Sequence, residues 1–391
     1  MILNLSDYFD PVSIEKSDFS FLAGPALLSH NITINTENKP ITTIDHFAIA
    51  LIGVTDDRNS PNKGASLGAD AVRQRLYRLA RIPGKMKIAD LGNLKSGVSF
   101  PDTLAGLSDV VSMLIDKGVF PVIIGGTSAL TPSLDRSLTM MGQGYNLLTV
   151  DSRLDFHPET KEITATSYLN NILYNSRSSC KGFSAIGYQT YLNDPQVINR
   201  FRRRGYELLR VGDVRSAFPE TEPSFRDAGI VVFDISAVRQ SDAPGTVGAS
   251  PNGFYGEEIC LLARYAGLSD NLRIFSITEV NPTLDNRGQT AELAAQVTWF
   301  FLEAFTQKQF ETPVISKKGE GRFIRYHVKL TDMDQDLIFV RSTLTDRWWM
   351  ELTTDDGKIY TACSNDDYMR ANRDEIPERW FRASSRLKKR D

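Results

Sequence analysis

Tyr145-Asn146-Leu147-Leu148-Thr149-Val150-Asp151-Ser152-Arg153-Leu154-Asp155 is a run of strand length that turns abruptly polar and acidic. The same change occurs twice more. Val119 to Gly126 is continuously apolar and closes on two glycines before Thr127-Ser128, and Gly229 to Phe233 runs into Asp234-Ile235-Ser236-Ala237-Val238-Arg239. Strands that are apolar throughout, rather than at alternate positions, belong to a parallel sheet covered by helices on both faces. Ligands bind such sheets at the carboxyl ends of the strands, where these polar residues fall.

The pattern extends outward from these three runs. Phe47 to Val54, Lys87 to Gly92, Gly182 to Gly187, Glu207 to Val211 and Arg273 to Val280 read as further strands. Ala69 to Ala80 places Val72, Leu76 and Leu79 at helical spacing, and Asp102 to Lys117, Gly256 to Ala266 and Ala291 to Phe305 read as helices. After about residue 312 the period changes. Phe323 to Leu330 alternates, with Ile324, Tyr326, Val328 and Leu330 on one face, and Leu337 to Val340, Arg347 to Leu352 and Lys358 to Ala362 follow with turns such as Thr354-Asp355-Asp356-Gly357. A helical stretch from about Asp367 to Leu387 ends the chain. The expected organisation is an N-terminal extension (1–45), an α/β domain (46–310) and a β-rich appendage (313–391) consisting of a small meander and a helix.

With 41% hydrophobic and 24% charged residues in 391, the composition is that of a folded globular chain rather than a disordered one. A net charge of -3 carries no signature of nucleic-acid binding. Arg202-Arg203-Arg204 and the tail Arg386-Leu387-Lys388-Lys389-Arg390 therefore read as solvated ends. Cys180, Cys260 and Cys363 have no metal-type spacing and read as free thiols. No apolar run reaches the roughly 18 residues of a membrane span, and Met1 to Asp7 lacks the pattern of a secretory signal, so the expected location is cytoplasmic.

Taken in order, these residues resemble the ureohydrolase family (arginase, agmatinase, formimidoylglutamase), whose members hydrolyse guanidino or amidino groups with a two-manganese centre in a three-layer α/β/α fold. The likeness covers roughly residues 45 to 308. It includes Gly64-x-x-x-Gly68-Ala69-x-x-x-Arg73, Asp90-x-Gly92-Asn93, Ala243-Pro244-Gly245-Thr246 and Glu279-Val280-Asn281-Pro282. Three motifs are altered. Gly125-Gly126-Thr127-Ser128 stands for Gly-Gly-Asp-His, Asp151-Ser152-Arg153-Leu154-Asp155 for Asp-x-His-x-Asp, and Asp234 to Arg239 for Asp-x-Asp-x-x-Asp. The resemblance implies a mostly parallel arginase-like sheet and assembly into trimers or hexamers.

Position by position, the resemblance places Ser128 and Arg153 where the family has its two metal-binding histidines. Ser236 stands for a ligand aspartate and Arg239 for the last acid of its motif, while Asp151, Asp155 and Asp234 remain. A guanidinium has no lone pair for a metal and stays charged, so Arg153 cannot be a ligand. It is expected instead to bond the neighbouring carboxylates and replace the cation's charge. Of the four histidines only His157 is near, as a candidate replacement ligand. Asp151, Asp155 and Asp234 could retain a single magnesium or calcium ion. Glu279, which in the family binds the substrate's amidinium, would either bind a small cationic ligand or pair with Arg153 or Arg239.

The expected function is a non-catalytic scaffold, partner-binding or ligand-sensing protein with no cofactor and no catalytic residues. The alternative is an active amidinohydrolase of the formimidoylglutamase or agmatinase type with one metal or atypical ligands. Trp348 and Trp349, on opposite faces of one strand, mark the appendage as the candidate surface for a protein partner.

Overall fold

The computed structural model describes residues 5–13, 22–313, 321–331, 336–354 and 357–388. Its centre is a ten-stranded sheet. The strands in chain order are β1 (Phe9–Asp10), β2 (Ile32–Ile34), β3 (Ile49–Val54), β4 (Ile88–Leu94), β5 (Phe120–Ile124), β6 (Tyr145–Val150), β7 (Cys180–Tyr188), β8 (Glu207–Arg210), β9 (Ile230–Asp234) and β10 (Ile274–Thr278). Their spatial order is β1-β4-β3-β5-β10-β9-β6-β7-β8, with β2 also on β4. Only β1 is antiparallel to its neighbour.

Alternation along each strand divides the core into two layers, because successive side chains leave opposite faces of the sheet. In β3, Ile49 and Leu51 join one apolar cluster, against Val72, Leu76, Leu262, Val297 and Phe301 of the helices Gly68–Leu76, Gly256–Gly267 and Gln289–Phe305. Ala50, Ile52 and Val54 join the other, against Leu107, Val111, Leu134 and Phe201 of Phe100–Asp116, Thr131–Met140 and Pro195–Arg203. Phe100–Asp116 starts at Ser99, whose hydroxyl accepts from the Asp102 amide while the Asp102 carboxylate takes the Ser99 N–H in a capping box. The result is the three-layer α/β/α architecture expected from the alternation of strands and helices. The segment before residue 46 is part of it, since β1 and β2 complete the edge of the same sheet.

The chain after residue 320 forms an antiparallel meander of β11 (Phe323–Val328), β12 (Leu337–Ser342), β13 (Trp348–Thr354) and β14 (Gly357–Cys363), followed by the helices Asn365–Ala371 and Glu378–Lys388. The final helical stretch is thus two helices, with Pro377 between them. Residues Asp355, Asp356, Lys389 and Arg390 lie outside the described residues. Both indoles of the Trp pair are buried. Trp348 stacks on Tyr368 with ring centres 4.8 Å apart, and Trp349 lies under the Arg226 guanidinium at 4.6 Å. Arg226 is itself buried and donates to the carbonyls of Trp348 at 2.8 Å and Cys363 at 3.0 Å. The meander therefore completes the burial of a charged residue of the α/β domain.

The three cysteines are free, as their spacing predicted. Among the described residues no helix is long and apolar enough to cross a membrane.

Candidate active site at the carboxyl ends of four strands

Strands β5, β10, β9 and β6 are neighbours, and their carboxyl ends deliver Ser128, Glu279, Asp234 and Asp151 to one cleft. It has a volume of about 210 Å³ and is also lined by Asp155, Arg153, Ser236, Asn62 and Gly248. The three altered motifs, far apart in sequence, are thus brought together. After β5 the chain turns through Gly125 and Gly126, at φ 84° and 71°. A Cβ on Gly125 would lie 2.6 Å from the Ala69 amide nitrogen, so glycine allows the turn to pack against the Gly68–Leu76 helix.

Two of the aspartates use the same local device. Asp151 Oδ1 accepts from the Arg153 amide and Asp234 Oδ1 from the Ser236 amide, both at 2.8 Å. Each carboxylate is thereby held at the start of the loop beyond its strand. Asp155 is nine-tenths buried, and among the described residues its carboxyl shares a hydrogen bond only with that of Asp151. Asp151, Asp155 and Asp234 each place an oxygen within 4.8 Å of the others, a geometry that can hold a cation.

The electrostatics follow from that crowding. Burial and the Asp234 charge push the Asp155 carboxyl up to about 8. Burial and the Asp155 charge raise Asp151, and burial with the Asp151 and Glu279 charges raises Asp234. Buried like charges disfavour ionisation unless a cation compensates them. The buried phenol of Tyr168 is raised well above its ordinary range, first by burial and then by the same carboxylates.

The Arg153 guanidinium does not supply that compensation at close range. Its Nη1 lies 3.4 Å from Ser152 Oγ and 3.5 Å from the Gly248 carbonyl, and it forms no salt bridge with the three aspartates. The turn at Asp151 fixes the Arg153 backbone so that the side chain runs over Ser152. Arg239 is also directed elsewhere: its Nε bonds Asp242 at 2.9 Å and its guanidinium lies over the Tyr255 ring. His157 is exposed and does not line the cleft.

Glu279 pairs with neither arginine, because nearer donors take its carboxylate. Oε1 accepts from the Ser128 amide at 2.7 Å and hydroxyl at 3.0 Å, and Oε2 from Asn62 Nδ2 at 2.9 Å and Ser60 Oγ at 3.4 Å. Glu279 is held at φ 66°, a backbone state that costs a non-glycine residue about 1 kcal/mol or more and persists where the surroundings impose it. Asn62 also bonds the Glu279 carbonyl at 2.9 Å and accepts from Asn281 at 2.8 Å. Sequence reading singled out neither Asn62 nor Ser60. Their one signal was position, immediately before the Gly64-x-x-x-Gly68 motif.

A parallel α/β/α sheet with an acid-lined cleft at its switch point defines an arginase-like protein. Residues 47–303 match the model of the Arginase family, and the chain belongs to that family. Formimidoylglutamase from Geobacillus thermodenitrificans is 26% identical over 284 residues, covering 68% of this chain and 87% of the relative. That from Ralstonia nicotianae is 26% identical over 270 residues, covering 64% and 83%. Among solved structures, Trypanosoma cruzi formiminoglutamase with Mn2+2 aligns with a TM-score of 0.63 at 21% identity, covering 67% of this chain and 94% of that one. Formimidoylglutamase from Bacillus subtilis aligns with a TM-score of 0.66 at 20% identity, covering 76% and 98%.

The expectation of no cofactor is thereby corrected: it was drawn from the missing histidines, and a formiminoglutamase of the same fold holds manganese. The donor set left in this chain fits a hard divalent cation, since three buried carboxylate oxygens converge. It does not supply two histidine nitrogens.

Proposed function

We propose that this protein hydrolyses a C–N bond of a linear amidine, as a formimidoylglutamase-type enzyme dependent on a divalent cation. The observation that carries this reading is the trio Asp151, Asp155 and Asp234, buried at the strand ends without a compensating salt bridge. The curated relatives support it. When bound, the cation would polarise a water and lower its pKa.

The chain's own residues then have separate tasks. Asp151, Asp155 and Asp234 hold the cation. Glu279, clamped by Ser128 and Asn62, presents a negative wall of the same cleft to a protonated amidine. With four carboxylates and one arginine lining it, the cleft selects cationic groups. Purified protein supplied with manganese should release product from N-formimidoyl-glutamate and lose that activity with Asp234→Asn. No turnover of formimidoyl-glutamate, agmatine or arginine under those conditions would reject the proposal.

A further inference from the structure

A second cavity, of about 440 Å³, is walled by the loop that follows Asp155. That loop serves both cavities: Asp155, Ala165 and Thr166 line the acid cleft, whereas Phe156, Lys161 and Tyr174 line this one. Hydrogen bonds fix it in place. The Leu169 amide donates to the Asp155 carbonyl at 3.1 Å, and Asn170 accepts from the His157 amide at 3.1 Å while its Nδ2 donates to the Thr160 carbonyl at 2.8 Å. The helix Pro195–Arg203 adds Arg200 to the lining.

The charge of this cavity is opposite to that of the cleft. Lys161 and Arg200 line it and no carboxylate does. Among the described residues neither cation has an acidic partner; Glu159 and Glu162, in the same loop, are exposed and pair with neither. Arg200 lies against aromatic rings instead, its guanidinium carbon 5.8 Å from the Phe156 centroid and 5.3 Å from that of Tyr174. Arg204, one helical turn on, lies 3.8 Å over the Tyr174 ring. Contact with a ring orients a guanidinium and leaves its N–H fork available to an oxyanion. The side-chain amides of Asn171 and Asn175 add neutral donors around the same space, which is large enough for a small organic molecule.

We propose that this cavity is a binding site for a small oxyanionic ligand, whose phosphate or carboxylate group is held between Lys161 and Arg200 with its body against the Tyr174 ring. The acid cleft repels such a group, so the two sites take ligands of opposite charge. The proposal is independent of the reaction that the cleft performs.

Isothermal titration calorimetry of the full chain tests it, at a fixed ionic strength of about 0.15 M, with inorganic phosphate in one arm and glutamate in the other. One site per chain is expected for at least one probe, and the arm that binds identifies the oxyanion. Arg200→Ala and Lys161→Ala should each weaken that binding about tenfold or more. Arg81→Ala, which removes an exposed arginine that does not line the cavity, should leave it unchanged. Arg200 and Lys161 are exposed as well, so the variants retain the fold. Failure of both probes to bind, equal weakening by Arg81→Ala, or binding that survives loss of both Arg200 and Lys161 would overturn the proposal. An oligomer in sedimentation analysis that the double variant dissociates would also overturn it, because a second copy of the chain would then be the occupant.

Discussion

Ser128 Oγ and the Ser128 amide both donate to Oε1 of Glu279, so Ser128 serves to hold a buried carboxylate. A hydrogen bond to a buried charged group is worth about 1.5–3 kcal/mol. Ser128→Ala, which keeps the amide bond and removes the hydroxyl, should lower unfolding free energy by about 2 kcal/mol in urea titration. A change below about 0.5 kcal/mol would mean that Glu279 does not depend on the hydroxyl.

Arg153→Ala should cost little stability in metal-free protein, within about 1 kcal/mol, because the guanidinium makes two long bonds to neutral oxygens and no salt bridge. This is far below the several kcal/mol expected when a partner is removed from a buried ion pair. A loss of that larger size would place the side chain on the aspartates. Chemical denaturation in the presence of chelator measures it.

Asp155 carries a stability cost for its site. It is buried against two other carboxylates, and only the Asp151 carboxyl shares a hydrogen bond with it. Asp155→Asn should raise the melting temperature of the metal-free protein and abolish any rise on adding manganese. In the wild type, manganese at a hundredfold excess over its Kd should add about 2.7 kcal/mol. Calorimetry of the four samples decides; a metal-free variant less stable than wild type would contradict the assignment.

Lys308 provides a pH signature away from the cleft. Burial under Phe305 and Phe120 lowers the ammonium to about 8, partly opposed by the Asp270 charge. Its folded pKa is below the unfolded value of 10.5, so between these pH values the unfolded chain binds more protons and stability rises with pH. Lys308→Met should therefore stabilise the protein by about 2 kcal/mol at pH 7, the advantage shrinking toward pH 10. Parallel pH profiles for the two proteins would exclude this titration.

Arg226→Ala should be severely destabilising, by about 3 kcal/mol, since the carbonyls of Trp348 and Cys363 would lose buried donors and Trp349 its covering cation. If the variant kept wild-type stability and m-value, the meander would not be integral to the α/β domain.

The sequence alone determined the layered fold and the main strand ends. Apolar periodicity reports local burial, and a parallel sheet places its strand ends together. The runs at Val119, Tyr145 and Gly229 each became a strand ending at the cleft. β1 and β2, with two and three residues, are too short for any period to register. Tertiary structure alone decided where each polar side chain was satisfied. Ser128 and Glu279 are 151 positions apart and Asn62 and Glu279 217, and no local pattern links them. Arg153 next to two aspartates in sequence suggested a salt bridge, but the turn at Asp151 directs it to Gly248. Likewise, strand alternation put the two indoles on opposite faces, and only packing decided that the Asn365–Ala371 helix would cover one and Arg226 the other. Backbone period is a property of neighbours along the chain, whereas the partner of a buried charge is set by which strand ends the fold brings side by side.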